Sequence, residues 1–508
     1  MTETIGALIK AHADEAKAIG AADRDWLTFG GLRDLTARTL SSLNALGIGP
    51  GDRVAIVLPN GPEMAAAFIT MAQGVTTAPL NPGYREDEYD FYITDLKAKA
   101  LVVMADYDGP ALPVAERHGV RVIRLVTSAD TPAGWFDLDS GEGSDPPKFA
   151  DPDDVALVLH TSGTTSRPKI VPLLQRNLVA SAHHIGETLQ LTPADRCLNI
   201  MPLFHIHGLI AAVLSSLAAG ASIWCSPGFN ALSVFGWLDA AQPTWYTAVP
   251  TMHQTILARA ASNAESVERA KLRFIRSSSA SLPPQVMTAL EATFGAPVIE
   301  SYGMTEATHQ MTSNPLPPKE RKPGSVGIEA GPLVRLADES DNVILGEDAT
   351  GEVVISGPNV TPGYEANESA NATAFFELDG RRWFRTGDQG HIDAEGYLRI
   401  TGRLKEIINR GGEKVSPLEI DEVLMDHPAV QQVVTFAMPH DKLGEEVAAA
   451  IVLREGEEAS EKDIRSFAAS RLADFKVPRK VVILTEIPKG ATGKMQRIGL
   501  AEKLGLVG

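Results

Sequence analysis

Short, wholly apolar runs recur between helical patterns through the first half of the chain: Val54-Ala-Ile-Val-Leu58, Leu101-Val-Val-Met104 and Val155-Ala-Leu-Val-Leu159. Runs this short read as buried strands, and strands alternating with helices predict βαβ units and a mainly parallel sheet. At 508 residues the chain is too long for one ordinary core, so two or more domains are expected. The texture changes along the way. Beyond Val298, Gly-rich segments such as Gly351-Glu-Val-Val-Ile-Ser-Gly357 suggest a small barrel-like or meander part. After Thr401-Gly-Arg-Leu-Lys405 comes a run with its own apolar periodicity, about a hundred residues long, the size of a small domain. The expectation is an α/β protein: a large domain over residues 1–404, then a smaller α+β domain over 405–508, with Ser140–Pro147 as a surface connection.

Charge narrows the partners. With 46 basic against 64 acidic side chains and a formal net charge of -18, the chain is not built to coat nucleic acid or an anionic membrane. An anionic ligand must be held by local donors. Only Cys197 and Cys225 are present, the N-terminus has no basic segment followed by an apolar run, and no apolar stretch is long enough to span a bilayer. A reducing, cytoplasmic setting is expected, in which the sequons at Asn367 and Asn371 are chance matches and the last four residues are no peroxisomal address.

The densest local signal is Thr161-Ser-Gly-Thr-Thr-Ser-Arg-Pro-Lys169, directly after the strand-like run ending at Leu159. Leu174, Leu178, Ile185 and Leu189 follow at helical spacing, so strand, loop and helix come in the order used for phosphate cradles. It is not a Walker sequence, and a hydroxyl-rich surface turn is the alternative. Further along stand Met201-Pro-Leu-Phe-His-Ile-His-Gly208, Tyr302-Gly-Met-Thr-Glu306, Arg385-Thr-Gly-Asp388, Gly402-Arg-Leu-Lys-Glu406 and Pro488-Lys-Gly-Ala-Thr-Gly-Lys494. In that order, across essentially the whole chain, the six segments resemble the core motifs of the adenylate-forming superfamily, which includes acyl-CoA synthetases, luciferases and peptide-synthetase adenylation domains.

The resemblance implies an ATP-dependent acid–CoA ligase. A carboxylate activated on the α-phosphate of ATP becomes an acyl-adenylate, and CoA then takes the acyl group. Thr161, Ser162, Gly163, Thr164, Thr165 and Lys169 would form the loop over the β- and γ-phosphates. Tyr302 belongs to the nucleotide site, Thr305 would touch the α-phosphate, and Glu306 would hold Mg²⁺, a cation that keeps several waters and phosphate oxygens. Asp388 would accept from the ribose hydroxyls, assisted by Arg403. Lys494 would bridge carboxylate and phosphate as a point charge. Lys405 matches the family's hinge, and Gly411 and Gly412 would line the CoA channel once the small, mobile domain has rotated.

Polarity addresses the acid. Arg276 and Ser279 in Phe274-Ile-Arg-Ser-Ser-Ser-Ala-Ser281, with His205, His207 and His309, form a donor-rich set suited to a second carboxylate, and Ser278 joins the floor. Longer strings, Thr244-Trp-Tyr-Thr-Ala-Val-Pro250 and Ile408-Asn-Arg-Gly-Gly-Glu-Lys414 among them, resemble oxalate–CoA ligases, although Ile170 stands where a glycine commonly follows Pro-Lys. A ligase for another short acid such as malonate, and a catalytically silent nucleotide-binding protein, stay open at this stage. The histidines show no recognisable zinc spacing, and His183 and His184 read as ordinary helix residues.

Overall fold

The computed structural model describes residues 3–139, 145–161, 168–338, 343–344, 348–488 and 495–506. They group into two compact units. The first comprises Met1–Thr161, Pro168–Val334 and Ile355–Arg382; the second takes in Arg335–Val354 and Trp383–Gly508.

The apolar runs become the sheet interiors of the first unit. In its seven-stranded sheet, Ala100–Met104, Arg53–Val57, Thr76–Pro79 and Val155–Thr161 lie side by side and pair parallel. Helices on the faces bury them, which is why they carry no alternation of polar residues. A nine-stranded sheet has Val298–Met304, Phe274–Ser277, Trp245–Ala248, Arg196–Asn199 and Ser222–Cys225 as neighbouring parallel strands. Leu198, Tyr246 and Ile275 on those strands pack against Val234, Leu238, Ile256 and Leu290 from the covering helices. The carboxyl ends of parallel strands are where open α/β sheets collect their ligands.

One expectation is corrected. The segment after Thr161 does not lead straight into a helix. Lys169–Leu174 is a strand, antiparallel to Val155–Thr161 with Thr161 opposite Lys169 and Val155 opposite Leu174, so the loop closes a hairpin. The helix Gln175–Thr188 begins only afterwards, with Leu178 and Ile185 in its buried face and Leu174 just before its start. The intervening residues favour a strand because Ile170, Val171 and Leu173 suit a half-buried pleat. Pro172 is tolerated because this is an edge strand, where a missing N–H costs no ladder bond. Ser162, Gly163, Thr164 and Thr165 lie outside the described residues.

In the second unit, Arg381–Ile392 and Leu398–Arg403 pair antiparallel, from Ile392 opposite Leu398 to Asp388 opposite Arg403. Beyond them the strands Glu413–Val415, Ile408–Arg410, Gly444–Leu453 and Val430–His440 form a sheet, joined by Lys480–Leu484 parallel to Gly444–Leu453. The helices Pro417–Met425 and Glu461–Ala469 cover one face through Ile420, Leu424, Ile464 and Ala468, giving the expected α+β texture. Ser416 caps the first of these helices by accepting from Glu419 N, and Pro417 occupies the first turn, where its missing donor is harmless.

Candidate active site

Neighbouring parallel strands gather the donor-rich side chains. Thr247 is opposite Arg276 in the register, so their side chains leave the sheet on the same face. Arg276 is fully buried. Its Nη1 lies 3.5 Å from both His207 Nε2 and Thr247 Oγ1, and its Nη2 lies 3.2 Å from Gln310 Oε1 and 3.5 Å from His309 Nδ1. Its Nε meets no partner among the described residues. None of these neighbours is a carboxylate. Burial pushes the guanidinium down to about 9, since a charge in a low-dielectric interior favours its neutral form unless an anion accompanies it.

The groups around it are tied together. His207 reaches Thr247 Oγ1 at 2.6 Å through Nε2 and Ser279 Oγ at 2.9 Å through Nδ1, and its ring centroid is 5.0 Å from that of His309. Ser279, Thr308 and His309 all hold positive φ, at 73°, 50° and 95°. Side-chain-bearing residues adopt that region at a cost, and such outliers gather at functional sites. Gly303 makes the fold of this corner possible. A Cβ there would lie 1.7 Å from the carbonyl oxygen of His309, so no other residue fits.

Four residues before His309, the strand Val298–Met304 gives way to the short turn Thr305–Ala307. Thr305 and Tyr302 are half-buried, and Glu306 is buried. Glu306 Oε1 accepts from the Tyr364 hydroxyl at 2.8 Å, and its backbone oxygen accepts from Thr361 N at 2.8 Å. On the face of the Tyr364 ring, Lys169 Nζ stands 4.3 Å from the centroid. Lys169 and Glu306 thus meet one aromatic side chain, although 137 positions separate them in the chain.

Within the second unit, Arg403 Nε lies 3.2 Å from Asp388 Oδ1, with Asp388 buried and Arg403 about half exposed. Lys405 is exposed. Gly411 and Gly412, φ 61° and 99°, form the two-residue turn between Ile408–Arg410 and Glu413–Val415, a hairpin type that requires left-handed backbone at both positions. Lys494 lies outside the described residues. Ser278 donates to Ser301 O at 2.9 Å, and the His205 ring lies 4.5 Å from that of Phe204, which lines an apolar cavity of about 250 Å³ with Leu58, Leu80 and Met252.

A model described as AMP-binding enzyme matches residues 9–365, and one described as AMP-binding enzyme C-terminal domain matches residues 419–494. The chain belongs to the AMP-binding enzyme family. It is 45% identical to an oxalate–CoA ligase of Arabidopsis thaliana over 95% of this chain and 94% of the relative. An oxalate–CoA ligase of Saccharomyces cerevisiae is 42% identical over 89% and 86%. Among solved structures, ATP-bound MatB from Rhodopseudomonas palustris superposes with a TM-score of 0.88 at 29% identity, covering 99% of both chains.

In this AMP-binding enzyme Glu306, which meets the same tyrosine as Lys169, carries a carboxylate that could hold a divalent cation. No group of three or more His, Cys, Asp or Glu among the described residues encloses a metal. A lone carboxylate suits Mg²⁺, which takes one or two carboxylates together with phosphate oxygens and waters. Sequence reasoning missed Thr247, Gln310 and Tyr364. Thr247 and Gln310 sit on strands where only the register shows that they face Arg276, and Tyr364 carries no local signal beyond following a glycine.

Proposed function

We propose that this AMP-binding enzyme condenses oxalate with CoA at the expense of ATP. One oxalate carboxylate oxygen attacks the α-phosphorus, the bond from that phosphorus to the α,β-bridging oxygen breaks, and diphosphate leaves. The CoA thiol then adds to the acyl carbon, AMP departs with the activated oxygen, and the thiol proton is lost to solvent. The observation that carries the choice of acid is Arg276, a fully buried guanidinium whose hydrogen-bond neighbours among the described residues, His207, Thr247, His309 and Gln310, include no carboxylate. The second carboxylate of a short dianion would supply the missing charge, and truncating either partner of such a buried pair costs several kcal/mol, about 3–5. The two oxalate–CoA ligases among the relatives support the same acid.

In this proposal Thr161, Ser162, Gly163, Thr164, Thr165 and Lys169 hold the terminal phosphates, Thr305 and Tyr302 the adenylate, and Asp388 with Arg403 the ribose. Glu306 would hold Mg²⁺, which when bound offsets charge on the phosphate oxygens. Arg276, His207, His309 and Ser279 orient the acid and exclude water from its far end. Lys494 belongs to adenylation, and Gly411 and Gly412 to the thiol step. Residues 1–404 and 405–508 would turn about Lys405 between the two half-reactions. No helix of the described residues is long and apolar enough to cross a membrane, and a cytoplasmic location fits the two buried free thiols, Cys197 and Cys225.

The test is diphosphate release across a panel of acids with and without CoA. Oxalate should give the largest CoA-dependent signal. A strong signal from malonate, with none from oxalate, would assign the pocket to a longer dianion; activity with monocarboxylates alone would remove Arg276 from the acid site.

A further inference from the structure

We propose that Tyr364 is a positioning residue that keeps Lys169 and Glu306 apart and aims each at its own part of the nucleotide. The inference rests on the assignment of those two residues to the phosphate side of the site. A lysine and a carboxylate packed beside the same side chain would ordinarily pair with each other. Here Lys169 Nζ lies over the aromatic face at 4.3 Å, while the hydroxyl at the ring's far end donates to Glu306 Oε1 at 2.8 Å. The ring satisfies the cation by its quadrupole and the anion by a hydrogen bond, and its width separates them. The lysine is thereby left to a phosphate and the carboxylate to a cation.

The chain around Tyr364 is anchored to both elements that carry those charges. Thr361 N donates to Glu306 O at 2.8 Å, and Asn359 Nδ2 donates to Ala307 O at 2.7 Å and Gln310 O at 3.1 Å. Toward the hairpin, Thr361 Oγ1 donates to Pro172 O at 2.7 Å and Glu365 N to Ile170 O at 3.1 Å. Asn371 closes the strap on itself, accepting from Tyr364 N through Oδ1 and donating to Tyr364 O through Nδ2, both at 2.8 Å. Glu365 also pairs with Arg53, whose Nη1 donates to Leu96 O at 3.0 Å. Tyr364 itself is only 7% exposed. A strap stitched to the phosphate-loop strand at one side and the Glu306 turn at the other fixes the distance between the two charges before any ligand arrives.

The test uses calorimetric titration of ATP into the full chain at graded Mg²⁺ concentrations, which needs no turnover. Tyr364→Phe keeps the ring and loses the hydroxyl, so the Mg²⁺ concentration giving half-maximal binding should rise roughly tenfold, as expected for a lost hydrogen bond to a charged group, with ATP affinity at saturating Mg²⁺ nearly kept. Tyr364→Leu loses both contacts, and ATP affinity at saturating Mg²⁺ should also fall, by roughly two- to thirtyfold. Wild-type titrations from Tyr364→Phe at every Mg²⁺ concentration would overturn the proposal, and this variant carries the test alone if Tyr364→Leu does not fold. Lys169→Ala and Glu306→Gln separate the two levels of inference. If they weaken nucleotide or Mg²⁺ dependence while Tyr364→Phe does not, the positioning role falls and the site assignment stands. If they too bind like wild type, the assignment of the phosphate side falls with it.

Discussion

Replacing Arg276 with methionine should separate stability from activity. The side chains have similar length, and methionine adapts to irregular cavities. Burial pushes the guanidinium down to about 9, so holding it charged costs the acid-free enzyme several kcal/mol, on the order of 5. Removing it relieves that cost and gives up only long hydrogen bonds of 3.2–3.5 Å. The variant should therefore be as stable as the wild type or more so, by up to about 4 kcal/mol, the range seen when buried charges give way to apolar groups. Oxalate should suffer in the opposite sense. Its second carboxylate would enter a dry pocket without a cation, and a loss of about 3–5 kcal/mol corresponds to a fall in kcat/KM of roughly a hundred- to a few thousandfold. A small monocarboxylate should lose far less. The measurements are urea melts without substrate, and diphosphate release with oxalate and with the monoacid. A variant several kcal/mol less stable, with both acids impaired alike, would make Arg276 a structural residue and refute the reasoning.

Three other outcomes are expected. Ser279→Gly should relieve the cost of a positive φ, gaining up to about 1 kcal/mol in denaturant melts, while raising KM for oxalate because His207 Nδ1 loses the Ser279 hydroxyl; an unchanged KM would take Ser279 out of the pocket. Lys494→Ala should lose adenylation yet still convert a supplied oxalyl-adenylate and CoA to thioester, and equal loss of both steps would contradict the two-orientation hinge. His253 is fully buried, and burial holds it down to about 4. The unfolded chain takes up this proton near 6.5 and the native state only near 4, so the stability present above 6.5 declines as pH falls between them, by about 3 kcal/mol. Urea melts from pH 7 to 4 should show that decline, and His253→Phe should flatten it.

The architecture was legible where burial writes itself into composition. Val54–Leu58, Leu101–Met104 and Val155–Leu159 each became a strand of one sheet because both faces are covered. The hairpin after Thr161 was not legible, since the helical spacing of Leu174, Leu178 and Ile185 overlaps a strand that ends at Leu174. Side-chain chemistry pointed to Arg276, His207, His309 and Ser279, which do converge. It pointed equally to Ser278, whose hydroxyl donates to the Ser301 carbonyl, a partner set by where the strands end. Thr247, Gln310 and Tyr364 escaped for a related reason. Their importance lies in register and in a strap between distant segments, and neither leaves a pattern within a window of neighbouring residues.

The close approach of Gly303 to the His309 carbonyl bears on how this enzyme can change its diet. Glu306 and His309 share a turn whose backbone is fixed by that contact, so lengthening or reshaping the loop to admit a bulkier acid would also displace the Glu306 carboxylate. Retargeting should then succeed by exchanging side chains at 207, 247, 276, 279 and 310 over an unaltered main chain. Libraries that insert or delete residues between 303 and 309 should yield inactive protein, however well the enlarged cavity suits the new acid.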